Sequence, residues 1–365
     1  MKGVIFMAFG LPQVTMTFNL ATLSAGSTAV TGKLALVLRD SAVTESAIFT
    51  FSAEADAMAA LDWSDESKAA IGQAFMGGPS LILLVVLPEA AALSDGYTIL
   101  ETQRFDVCTV AGLAEGEAAA FVTWAKDAYN NKGKRALFVV ASATAPDHQA
   151  IIHFDTGSII TGGRTYTAYE YLPRIAGALA GLQLWESATY LVLPEVDDCP
   201  HLTRAQANAA IAAGKVILYH DGEKAKIARG VTSLTTIGAD KSAEFQKAKV
   251  MRILNQLEMD IVSNVEDNYI GKVPNSFIHK SLLITAIRDY LTSMEKLSVL
   301  FPGVNTIDFD LAKQRAYLKT KLPEAEVNAM DDDTVREAYT DDKLFLSGTI
   351  RPVDSVEDVA IAFTL

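Results

Sequence analysis

The chain has 365 residues, enough for two or three domains with sizeable cores, and carries a net charge of −13 with half of its residues hydrophobic and 21% charged. That balance argues against wrapping nucleic acid, because neutralising phosphates takes a concentrated basic surface and Lys and Arg are not gathered into a block. The longest strongly apolar run is Leu81–Leu87, stopped by Pro88 and Glu89, far short of the roughly 18–20 residues of a membrane helix.

The start, MKGVIFMAFGLP, superficially resembles a short secretory segment with one Lys, but no small-residue cleavage site follows closely, so it is read as part of the working chain. Residues 13–20 alternate strictly. Val14, Met16, Phe18 and Leu20 are apolar, while Gln13, Thr15, Thr17 and Asn19 are polar, which describes a strand with one face to bury. Small and polar residues follow over 24–31, and residues 34–38 form a second strand. Residues 53–78 read as helical segments, and LILLVVL (Leu81–Leu87) reads as a strand buried on both faces in a parallel sheet.

From Phe105 the pattern is strand, helix, strand: FDVCTV, a helix over 117–129, then ALFVVA over 136–141. Ala118, Phe121, Val122, Ala125 and Tyr129 share one side of that helix. This is a βαβ unit with a right-handed crossover. Strands are expected near 151–154 and 158–160, and a small-residue helix over 169–181 in which Pro173 can sit only near the first turn. After ESATYLVLP come a helix over 203–213 and the strand KVILYH over 215–220.

A strand and turn, KAKIARGVTSLTTI, then leads into a helix over 240–264. Phe245, Ala248, Met251, Leu254, Leu257, Ile261 and Val265 form one stripe at steps of three and four. The linker DNYIGKVPNS uses Gly271 to relieve the backbone and Pro274 to end extended structure, and Asn275 or Ser276 caps a second helix over 276–297. That helix repeats the pattern with Leu283, Ile287, Tyr290, Leu291, Met294 and Leu297, so the two helices should pack on each other and on a sheet. A turn at FPG, a short helix over 311–318, the acidic run Asp331, Asp332 and Asp333, a strand over 344–350 and a turn over 351–354 follow. The chain closes on Val359, Ile361, Phe363 and Leu365 alternating with Asp358, Ala360, Ala362 and Thr364. Both ends are thus amphipathic strands without a sequence-adjacent partner, a hazard unless something pairs them.

The order IARGVTSL, long helix, DNYIGKVPNS, long helix closely resembles the C-terminal domain of contractile-tail sheath proteins. These build the tails of phages, of R-type bacteriocins such as diffocins, and of related injection systems. Arg229, Gly230, Tyr269, Ile270, Gly271, Lys272 and Asn275 carry that motif. Residues 11–18 resemble the family's N-terminal arm and residues 97–219 its subtilisin-like α/β domain, in which RIAGALAG and ESATY take the places of an Ala/Gly-rich helix and the strand after it. Larger members insert a β-sandwich after the strand equivalent to Leu81–Leu87. Here only residues 88–97 are available, so the resemblance implies a compact sheath.

The fold it implies is α/β: a central subtilisin-like domain over 97–222, preceded by its N-terminal part over 26–96, and an α+β sheath domain over 223–352. Extended strand arms occupy 1–25 and 353–365. The resemblance further implies a structural subunit without catalysis or cofactor. Copies would stack as six-fold rings around a tail tube and contract to drive the tube through a target cell envelope. Val14, Thr15, Met16, Thr17, Phe18 and Leu20 at one end, and Val359, Ile361, Phe363 and Leu365 at the other, would exchange between subunits. Ser24, Gly26 and Thr28, and Arg351, Pro352 and Asp354, are the expected linkers. The domain with the motif residues would lie innermost, the residues themselves being mainly structural. Expected partners are further copies, the tube, baseplate and terminator or collar proteins, with neither nucleic acid nor membrane insertion. Synthesis is expected in the bacterial cytoplasm, and assembly in a phage or phage-tail-like particle.

No Walker loop, GxGxxG, HExxH, GxSxG or CxxC occurs. Asp147, His148, His153 and Asp155 form the most metal-like cluster, followed by Asp197, Asp198, Cys199 and His201, but neither spacing matches a closed site. Both are read as loop and strand-edge residues, His220 as structural, and the acidic run at 331–333 as a solvated cap or loop. The alternative function is a soluble α/β hydrolase with a pocket lined by His148 or His153. Two cysteines, Cys108 and Cys199, give no disulfide framework, which suits a reduced compartment.

Overall fold

The computed structural model describes residues 32–238 and 242–364. The N-terminal alternation from Val14 to Leu20, the linker candidates Ser24, Gly26 and Thr28, and Leu365 lie outside the described residues.

A seven-stranded sheet organises the first part. Its strands are β1 (Lys33–Arg39), β2 (Ala47–Phe51), β3 (Leu81–Leu87), β4 (Val107–Val110), β5 (Leu137–Val140) and β6 (Ile151–Phe154). After a hairpin of β7 (Ile159–Thr161) and β8 (Arg164–Tyr166), β9 (Lys215–Val216) completes it in the order β2-β3-β1-β4-β5-β6-β9. All neighbours are parallel except β2, which runs antiparallel to β3 at the edge. Leu36 of β1 faces Leu84 on one side and Thr109 on the other. Strands covered on both faces must be apolar throughout, and Leu34, Ala35, Leu36 and Val37 are fully buried.

The helices α1 (Glu54–Ala60), α2 (Asp65–Phe75), α3 (Leu93–Leu100), α4 (Glu115–Asn131), α5 (Leu172–Gly181) and α6 (Arg204–Ala212) accompany the sheet. The expected βαβ unit is β4, α4 and β5, with Cys108 registered to Phe138. Tyr97 of α3 stacks on Trp124 of α4 at 4.6 Å, and Trp124 meets Phe138 edge-on at 5.5 Å. On α5 Pro173 falls in the first turn, where its missing N–H costs no helical bond. The end of α2 and the turn after it meet α5 through glycine. A Cβ on Gly177 would lie 2.1 Å from the Ala74 carbonyl oxygen, and one on Gly181 would lie 1.8 Å from that of Gly77.

Two expectations change here. The single strand expected over 215–220 divides at Ile217: β9 joins the large sheet, while β10 (Leu218–His220) turns away to pair with β11 (Ala225–Ile227). The strand expected after α5 is absent. Residues 183–200 form turns, touched by single bridges at Val192 and Asp198.

A 3-10 turn at Ala243–Gln246 leads into α7 (Ala248–Asn268), one turn longer than expected at its C-terminal end. The helix is a wall between two cores. Phe245, Ala248, Met251 and Leu254 belong to the sheet's core, whereas Ile253, Leu257 and Ile261 pack with Leu283, Ile287 and Leu291 of α8 (Phe277–Lys296). Ser276 caps α8 by accepting the His279 N–H. Beyond it β12 (Thr306–Phe309) pairs antiparallel with β13 (Leu346–Thr349). Between them α9 (Leu311–Leu318), α10 (Glu324–Ala329) and α11 (Asp332–Glu337) bury Leu318, Val327 and Val335 together. Asp331 caps α11, with Asp332 and Asp333 in its first turn, where the helix dipole favours negative charge.

Candidate assembly interface at the chain terminus

The segment after β13 is stitched down and then released. Phe301 donates its N–H to Arg351 O at 2.8 Å, Leu300 bridges Pro352, and Val353 donates to Val299 O at 3.0 Å. The Arg351 N–H reaches Asn305 Oδ1 at 2.7 Å, and Val353 is buried. Asp354 pairs with Lys247. Ser355 accepts from Lys249 Nζ at 3.0 Å and donates to Trp185 O at 3.3 Å. Arg351, Pro352 and Asp354, the expected linker residues, each contact the body within the single subunit.

Glu357 is the centre of the last contacts. Its Oε1 accepts from Ser187 Oγ at 2.7 Å and Thr189 Oγ1 at 2.6 Å, and its Oε2 from Arg229 Nε at 2.9 Å. Arg229 also pairs with Asp358, and these two hydrogen-bonded anions hold its pKa above the usual value. The Gly230 N–H donates to Thr189 Oγ1 at 3.0 Å, and a Cβ there would press on Ala188 at 3.2 Å. Burial pushes the neighbouring Lys249 ammonium down to about 8. Sequence reasoning missed Ser187, Thr189, Lys247 and Lys249. The one available signal was the acidic group Asp354, Glu357 and Asp358 just ahead of an apolar alternation.

After Asp358 contact ends. Among the described residues, none from Val359 to Thr364 makes a hydrogen bond within the chain, and no strand forms there. Val359, Ile361 and Phe363 are 71%, 72% and 88% exposed. Three large apolar side chains on alternate positions, beside unpaired backbone, are the chemistry of a strand lacking its sheet.

The other motif residues build turns. Tyr269 closes α7 and packs in the second core, while Tyr269 and Ile270 both donate their N–H to Val265 O. Gly271 takes the left-handed φ of +71° that ends the turn. Lys272 reaches Asp267 O, and Asn275 donates to the carbonyls of Asp341 and Lys343, both at 2.9 Å.

Most of the candidates for chemistry are held apart, each by its own local partners. Asp147 accepts from the Thr235 and Thr236 N–H groups and both hydroxyls, bonds that outweigh burial and hold its carboxyl well below the usual range. His148 Nδ1 accepts the Ala150 N–H at 3.1 Å, and His153 Nε2 donates to Ser142 O at 2.9 Å, its pKa lowered by burial. Asp155 pairs with Lys215 at 2.5 Å. Asp197 accepts from Gly162 N, and Cys199 turns inward, its thiol pushed up to about 11 by burial. The fold does bring Asp198 and His201 to His220: Asp198 Oδ1 lies 2.9 Å from His201 Nε2, and the rings stack at 4.7 Å. The His220 Nδ1 lone pair is taken by the Gly222 N–H at 3.1 Å, while Asp198 and His201 hydrogen-bond each other. A hollow of about 480 Å³ is lined by Met76, Arg174, Leu182, Val192 and Glu195, and neither His148 nor His153 reaches it. The hydrolase alternative finds no support.

Comparison with known proteins agrees with the motif order. The model of the phage tail sheath protein central domain matches residues 88–233, and that of the phage tail sheath C-terminal domain matches residues 240–365. The tail sheath protein of Clostridium phage phiCD119 is 30% identical over 360 residues, covering 96% of this chain and 98% of its own. The chain belongs to the phage tail sheath family. It is a structural component of a contractile tail. A second relative, protein XkdK of the phage-like element PBSX in Bacillus subtilis, is 24% identical over 234 residues, 61% of this chain and 49% of its own. The fold matches the contracted helical sheath of the anti-feeding prophage with a TM-score of 0.69 at 15% identity, covering 98% of this chain and 99% of that one. It also matches the sheath tail protein of Desulfitobacterium hafniense, with a TM-score of 0.66 at 18% identity over 82% and 94% of the two chains. Among the described residues, no helix of this sheath protein is long and apolar enough to cross a membrane.

Proposed function

We propose that the subunits polymerise as stacked six-fold rings around a tail tube, joined by strands exchanged at both chain ends, and that the array shortens to drive the tube through a cell envelope. Residues 1–25 and 353–365 act as arms, 26–222 as the α/β body, and 223–352 as the layer against the tube. A contact that rotates and rises without closing generates such a helix of copies. The exposed apolar alternation of Val359, Ile361 and Phe363 carries this reading, because a neighbour's sheet edge satisfies both its backbone and its apolar face. The work requires no nucleotide, since a small gain in contact per subunit sums over many rings. Tube, baseplate and collar proteins are the partners, and the complete particle is the place of action.

Deleting residues 1–18 or 359–365 should leave a folded, soluble subunit that forms no tubes by negative-stain electron microscopy. Tubes from either truncated chain would defeat the proposal.

A further inference from the structure

The contacts at Glu357 and Asp358 draw together three parts of the chain far apart in sequence. Ser187 and Thr189 come from the turns after α5 and Arg229 from the end of the β11 segment, while Lys247 and Lys249, from the start of α7, hold Asp354 and Ser355 just before Glu357. The clasp is charge-assisted at each end: Asp354 on Lys247, Glu357 and Asp358 on Arg229. Charge-assisted bonds are about twice as strong as neutral ones, and Arg holds two acceptors in one rigid fork. Glu357 accepts three bonds and its side chain is 13% exposed, whereas Asp358, one residue on, is 82% exposed. The transition from held to released chain falls between these residues and Val359.

We propose that Arg229 is a positioning residue for the C-terminal arm: by clasping Glu357 and Asp358 it fixes the root of the arm to the body and makes Val359 the pivot. The proposal rests on the reading of the terminus as an exchanged arm. It moves the hinge from 351–354 to beyond Asp358. It also gives the Arg229-Gly230 pair a task, because Gly230 holds Thr189 and Thr189 holds Glu357. Load on the arm then passes into Arg229 and the 187–189 turn together, not into a loose tether.

Spin labels test this. Cys108 and Cys199 are buried, so single cysteines introduced as Val356→Cys and Ile361→Cys can be labelled in the unassembled full chain. Val356 is itself 86% exposed, so restriction there reports the backbone rather than side-chain packing. The label at 356 should be restricted on the nanosecond scale and the label at 361 mobile. Arg229→Ala, and independently Glu357→Ala from the arm side, should raise the mobility of position 356, which Asp354 and Ser355 then hold from one side only, while leaving the melting temperature of the body within a few degrees. Each should also reduce tube yield by about tenfold or more, the loss expected for one charge-assisted pair. Equal mobility at both positions in the unaltered chain, or a mobility at 356 that neither substitution changes, overturns the clasp. Normal tube yield from both variants overturns the positioning role. Absence of tubes from the unaltered chain, with these mobilities as expected, counts against the assembly reading and leaves the clasp standing.

Discussion

Tyr129 donates its phenolic hydroxyl to the side-chain oxygen of Asn255 at 2.9 Å, a buried bond that ties α4 of the sheet layer to α7. One turn along α7, Glu258 pairs with Arg135 at 2.7 Å, and the Arg135 guanidinium lies 4.8 Å over the Tyr129 ring. Since α7 walls both cores, this patch joins the sheet layer to the helix on which the second core packs. Tyr129→Phe removes the donor and leaves a buried amide whose nitrogen already has no partner. An orphaned buried polar group costs about 1–3 kcal/mol. Thermal unfolding of the unassembled subunit should therefore show a midpoint a few degrees lower, with the sheet's circular dichroism unchanged.

Acid should act on Glu195. Burial raises its pKa, but bonds from Arg174 Nε at 2.6 Å and Tyr171 Oη at 2.8 Å outweigh burial and hold it below the ordinary 4.5. A carboxyl with a depressed folded pKa stabilises the fold above its unfolded value, and that contribution is lost as pH falls through the folded one. Glu195→Gln should be less stable than the unaltered chain at pH 7, because Arg174 keeps a buried charge without its counter-ion. The gap between the two melting temperatures should narrow as pH drops below about 4.5. A constant gap would mean that the carboxylate charge is not what matters.

Two glycines on helices give opposite outcomes. In Gly177→Ala the new methyl meets the Ala74 carbonyl oxygen at 2.1 Å, backbone against backbone, so α2 and α5 must separate. Overpacking of this kind costs about 1–3 kcal/mol or more. At Gly116, in the first turn of α4, a Cβ meets nothing within 4 Å. Gly116→Ala should stabilise by about 0.4–1 kcal/mol through a less flexible unfolded chain. Paired melting curves check both signs.

What was legible in the sequence follows from what a local pattern can encode. Leu81–Leu87 announced itself because a strand covered on both faces has no polar positions. The α7 and α8 stripes were legible because a helix buries residues at fixed spacing, and the motif order between them gave the family. β2 escaped notice: its five residues lie at a sheet edge with alternate positions exposed, and their partner lies 30 residues on. β12 is four residues whose partner follows 40 later. The clasp was illegible for the same reason, since Ser187, Arg229, Lys249 and Glu357 carry no pattern until the fold brings them together.

The terminal alternation makes the sharpest prediction about function, because stability and assembly should separate there. Ile361 and Phe363 are so exposed in the single subunit that they contribute little burial to its fold. Ile361→Asp or Phe363→Asp should therefore leave the melting temperature of the subunit unchanged. In a shared sheet the same side chain would lie against a neighbour, and burying an unpaired carboxylate there carries a large penalty. Tube formation should then fall steeply, whereas Ala362→Asp, on the alternate face, should be tolerated better. If all three variants assemble alike, the terminal segment does not bury one face in a neighbour.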